Sequence, residues 1–157
     1  MSFRSFLIIL FSTLVTISQA QKSVYVPSDN RDGGASQDPV RISTHVTFPD
    51  IKVLLARDIP FEDFSVGITS IRHQADYILT ARPEDAVQTV LLDNCSNFPG
   101  LSILYGHNLS FPDVRIEFRD QDRGFAPDFL IYTEKTTVSE QELLACLLPL
   151  ILEKARD

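Results

Sequence analysis

The apolar positions of this chain fall in short runs. From residue 40 onward, stretches rich in Val, Ile, Leu, Phe and Tyr are broken by Pro, Asp and Gly at intervals suited to strands. The pattern predicts strands over 41–48, 52–56, 64–69, 77–81, 87–92, 101–105, 114–119 and 129–133. Residues 52–56 and 129–132 are nearly continuous in apolar character, which predicts central strands covered on both faces. A helix is expected over 139–153: Ser139 and Glu142 stand in the capping-box relation, and Leu143, Leu144, Leu147 and Leu148 follow at helical spacing. Pro149 should kink or stop it. The expected fold is mainly β with a C-terminal α-helix, a single compact domain of six to eight short strands over 40–157.

Before residue 40 the composition changes. A short strand is expected at 23–26, followed by Pro27-Ser28-Asp29-Asn30 and Asp32-Gly33-Gly34, so 21–39 reads as a flexible leader. Residues 1–20 carry Arg4, an apolar stretch over 6–17 and a small polar close at Ser18-Gln19-Ala20, the order of a secretory signal peptide cleaved after Ala20. That stretch is too short to cross a bilayer, so the expected product is secreted or periplasmic, with no membrane insertion after cleavage.

Charge and cysteine content follow from that expectation. The whole chain carries −7, and loss of Arg4 with the signal peptide leaves −8, a surface that repels phosphate backbones and argues against nucleic acid. In an oxidising compartment Cys95 and Cys146 are expected to form a disulfide bond, the alternative being two buried free thiols.

The chain also resembles itself. Residues 64–79 align without a gap on 101–116, an offset of 37, with Ser65 on Ser102 and Asp76 on Asp113. An aspartate directly before a predicted strand occurs again at Asp50 and Asp128, and proline precedes three of the four, as Pro49, Pro112 and Pro127. A carboxylate there can accept backbone N–H groups at the start of a strand, so the four copies point to a structural repeat motif. Its form, Gln74-Ala75-Asp76-Tyr77-Ile78-Leu79 and Pro127-Asp128-Phe129-Leu130-Ile131-Tyr132, resembles the septoil-knot domain over roughly residues 50–133. That resemblance implies a small, often exported, mostly bacterial β-rich protein threaded into a deep knot. It brings no activity and no catalytic residues.

Motifs for chemistry are sparse. There is no G-x-S-x-G elbow and no glycine-rich phosphate cradle, and His45, His73 and His107 are not spaced as metal ligands, so neither metal nor cofactor is expected. Asp120-Gln121-Asp122-Arg123-Gly124-Phe125 falls short of a calcium loop and reads as a charged turn. Two sequons, at Asn94 and Asn108, would matter only in a eukaryotic secretory pathway. The expected function is an exported non-enzymatic scaffold or binding module of unknown ligand, with a protein or a carbohydrate as the candidates. One alternative is a small hydrolase or carbohydrate-acting enzyme, in which a cleft gathers Asp76, Asp113, His73 and His107 as acid and base; the plainer reading of the histidines is solvated loop residues. A second alternative is a partner subunit that uses an exposed strand edge or an apolar helix face.

Overall fold

The computed structural model describes residues 21–27, 39–92, 100–119 and 126–157. The expected signal peptide, Cys95, Asn94 and the charged turn at 120–125 lie outside the described residues. Nine strands occur among those described: β1 Lys22–Tyr25, β2 Val40–Ser43, β3 Ile51–Ala56, β4 Phe64–Thr69, β5 Tyr77–Thr80, β6 Gln88–Thr89, β7 Leu101–Gly106, β8 Val114–Phe118 and β9 Phe129–Thr133. They precede two helices, α1 Glu140–Cys146 and α2 Leu148–Lys154. The protein is therefore mainly β with a C-terminal helical pair, and it has more strands than the pattern alone suggested. The strand expected ahead of the leader is a full member of the sheet, with Val24 and Val26 buried.

All eight strand pairings are parallel, in the order β2-β7-β3-β8-β4-β9-β5-β1-β6. A parallel bridge between Leu92 and Val40, with the Val40 N–H donating to the Leu91 carbonyl at 2.9 Å, joins the segment after β6 to β2 and closes the sheet into a ring. Around that ring the chain obeys one rule: each strand lies two places beyond the strand before it. The places occupied by β2, β3, β4 and β5 therefore alternate with those of β7, β8 and β9, and a second circuit threads between the strands of the first.

Register explains how short connectors manage this. Ile116 of β8 pairs with Leu55 of β3 on one side and with Phe64, the first residue of β4, on the other. The new strand thus begins one residue below the level where the strand two places back ended. Ile103 between β2 and β3, and Ile131 between β4 and β5, stand in the same relation. A connector has only to cross two strand spacings, about 10 Å, and return by one residue, about 3 Å. Seven residues suffice at 44–50, 57–63, 70–76 and 107–113, fewer than the dozen or so that a helical crossover between parallel strands needs.

One circuit of the ring raises the register by sixteen residues. For nine strands this corresponds to a tilt of about 50° and a radius of about 11 Å, room for one helix with its side chains inside a layer of inward-facing residues. The C-terminal helices fill it. Six consecutive residues, Leu143 to Leu148, are buried, as in a helix surrounded on every side, and α1 packs against both β5 and β2, well apart in the strand order. The predicted capping box is present, with the Ser139 hydroxyl accepting from the Glu142 N–H and Glu142 accepting from the Ser139 N–H. The helix breaks at Leu147, two residues before Pro149, as the proline predicted.

The outer face is covered unevenly. β3 alternates, with Ile51, Val53 and Leu55 buried and Lys52, Leu54 and Ala56 half-covered, where its apolar run had suggested burial on both faces. β5 is buried at every position. Over β4 the connector from β8 to β9 crosses so closely that a Cβ on Gly67 would lie 2.8 Å from Pro127 Cγ. Cys146 is a free thiol, fully buried within the helix, in place of the expected bridge to Cys95. Burial pushes its pKa up to about 12, so it behaves as a small apolar side chain.

Gly67→Ala is expected to destabilise the protein by about 1–3 kcal/mol in urea unfolding, because the rigid proline ring must be displaced. Gly106→Ala, whose new methyl meets only the flexible Leu109 side chain at 3.3 Å, is expected to cost well under half as much. In the folded protein Cys146 should resist alkylation at pH 8 and label only after unfolding, as read by intact mass.

Candidate functional site

Each strand start in the repeat is tied to the strand that the preceding connector has crossed. Asp50, just before β3, accepts from the Ser102 N–H at 2.8 Å and from the Ser102 hydroxyl at 2.7 Å on β7. Asp113, before β8, accepts from the Lys52 N–H at 2.7 Å; Asp128, before β9, accepts from the Ser65 N–H at 2.7 Å and its hydroxyl at 2.8 Å; Asp76, before β5, accepts from the Leu130 N–H at 2.8 Å. In every case the donor is the second residue of the intervening strand. The match of Ser65 with Ser102 has the same cause, since both hydroxyls serve such an aspartate.

Sequence reasoning missed a fifth member. Asp63, before β4, accepts from the Arg115 N–H at 2.7 Å, with Glu62 before it where the other copies carry proline or alanine. The signal was available in the spacing: Asp50, Asp63 and Asp76 are thirteen residues apart, a six-residue strand plus a seven-residue connector. The 37-residue offset is therefore three units long, one of them shortened, and the unit itself is thirteen.

The four residues of the acid–base alternative are distributed through this scheme. Asp76 and Asp113 precede strands three places apart in the ring, and each carboxylate is engaged with a backbone N–H. His107 and Asp113 belong to one connector but meet opposite ends of β3: His107 Nδ1 lies 2.6 Å from the Leu55 carbonyl, whereas Asp113 reaches Lys52. Three residues of strand between those contacts amount to about 10 Å. The other ring nitrogen of His107 is 3.4 Å from Glu140 at the start of α1. His73 sits exposed in a 3-10 turn over Arg72–Gln74, and His45 is exposed after β2. Among the described residues no group of three His, Cys, Asp or Glu side chains is arranged to hold a metal, and no helix is long and apolar enough to cross a membrane.

The rim at the strand starts carries a different feature. Three residues before β3, β8 and β4 stand Phe48, Phe111 and Phe61, with 90%, 91% and 87% of their surface exposed. These strands are consecutive in the ring, so the three rings belong to one arc. β8 begins opposite the third residue of β3, and β4 opposite the third of β8. That stagger, about 6.6 Å along the strand and 4.8 Å across it, spaces neighbouring starts about 8 Å apart. At the tilt of this sheet the stagger runs along the circumference, which keeps the starts level. Beyond the arc the equivalent positions before β9 and β5 carry Ala126 and Gln74. Phe61 and Phe111 have φ of 61° and 54°, the left-handed region that bulky residues avoid, and Phe111 does so directly before Pro112, which favours extended backbone.

Two acidic residues beside the arc have cationic partners. Glu62 pairs with Arg119 at 2.6 Å, and Arg119 also pairs with Glu117. Asp63 is 3.7 Å from Lys154 at the end of α2. No family model, no curated protein and no solved structure matches this chain.

The two hydrogen bonds from Ser102 hold the Asp50 carboxyl below the usual carboxylate range. Its contribution is therefore complete above the unfolded value near 3.8 and is lost as the pH falls through the folded value. Asp50→Asn is expected to cost about 1 kcal/mol at pH 7, and thermal melts should show the deficit shrinking towards zero as the pH falls below 3.8.

Proposed function

We propose that the protein is an exported, non-enzymatic binding module: a rigid wound scaffold that presents the Phe48–Phe111–Phe61 arc as its contact surface. The observation that carries this reading is the arc itself, three almost fully exposed aromatic rings at equivalent positions on consecutive strands. Folding gains nothing from leaving such rings in water, and two of them are held in a conformation that costs an L-residue about 1–2 kcal/mol. Residues retained at a cost to stability mark a site of use. The commitment of Asp76 and Asp113 to backbone donors favours a structural role for them over an acid–base one. The aspartate-then-strand unit and the interleaved winding support kinship with the septoil-knot domain, and the apolar segment at residues 1–20 supports export.

The reading predicts that the arc can be removed without harm to the fold. Phe61→Asn and Phe111→Asn, which place a residue tolerant of positive φ, should each raise stability by about 0.5–1 kcal/mol in urea unfolding. A loss of more than about 1 kcal/mol in either variant would show that the phenylalanines serve folding, and the reading would fall.

A further inference from the structure

We infer that the phenylalanine arc docks on the interface of a zwitterionic phospholipid bilayer, an inference that rests on the binding-module reading and names its ligand. Three observations favour this occupant over others. The three residues are exposed at equivalent positions: Phe48, Phe111 and Phe61 each stand three residues before a strand start, and those starts share one height on the rim. A fluid, planar surface accepts three projecting rings at one depth without needing a shaped pocket, as interfacial aromatic residues do.

Area gives the second argument. Three exposed phenylalanines offer roughly 500 Å² in all, below the roughly 800 Å² that each partner contributes to a stable protein–protein interface. A second copy of the chain, itself net negative, would add repulsion to that shortfall. Charge gives the third. Glu62 is paired with Arg119 and Asp63 with Lys154, so these two carboxylates beside the arc bring their own counter-charges to a surface. The net negative charge of the protein suits a neutral headgroup layer rather than an anionic one. Contact at the interface requires no spanning segment.

The test is flotation of the mature chain with phosphatidylcholine vesicles, alongside the variant Phe48→Ser/Phe61→Ser/Phe111→Ser. The wild type is expected to float with the vesicles, with no gain when anionic lipid is mixed in and no release by high salt, and the triple variant should bind at least about tenfold more weakly. Thermal melts of both proteins accompany the assay. If the wild type stays in solution while the triple variant melts normally, the bilayer is the wrong ligand and the binding-module reading survives. Should the triple variant be unfolded, the arc belongs to the fold and both readings fall. Equal flotation of both proteins, or concentration-dependent dimers that the triple variant abolishes, would also overturn the bilayer as occupant.

Discussion

A strand buried in a parallel sheet begins with backbone N–H groups that need partners, and in this protein the partners come from the connector that has just crossed it. The aspartate closing each of five connectors hands its carboxylate to the second residue of the intervening strand. Most of these residues bind in return, since the N–H groups of Asp50, Asp63, Asp76 and Asp113 donate to the carbonyls of Ser102, Arg115, Leu130 and Lys52. Each such pair fixes where the new strand starts relative to its neighbour, and a shift of one residue would turn every inward side chain outward. The winding of the whole ring depends on this local tie.

From that constraint the remaining geometry follows. A two-residue stagger at most steps gives the ring its steep tilt, and the tilt gives it a radius that a single helix fills. The helix is accordingly apolar all round from Leu143 to Leu148, and the isoleucines that sit level with both the end of one strand and the start of another, Ile103, Ile116 and Ile131, have no exposed surface. The same stagger levels the strand starts into a rim. A sheet with less shear would have set the three phenylalanines at different heights.

Closure also bears on what the surface displays. The bridge from Leu92 to Val40 joins the two ends of the strand order, and the apolar helix is enclosed by strands. The most exposed large apolar residues, Phe48, Phe61, Phe111 and Val87, all lie on connectors.

Much of this was legible along the chain. Strand positions followed from short apolar runs, the helix start from Ser139 and Glu142, its break from Pro149, and the structural use of the aspartates from their recurrence before strands, because these are local effects of backbone sterics and hydrogen bonding. Asp63 escaped because the residue before it differs, although the thirteen-residue period contained it. The sequence by itself determined which segments are strands, which residues cap them and where the helix begins. Only the tertiary structure decided that the strands interleave, that the helix lies inside the ring, that Cys146 is sealed as a free thiol, and that Phe48, Phe111 and Phe61 are neighbours. Phe111 is fifty residues from Phe61 in the chain and one ring place away in space, because a winding that steps by two places sets the second circuit beside the first, a relation no local pattern can express.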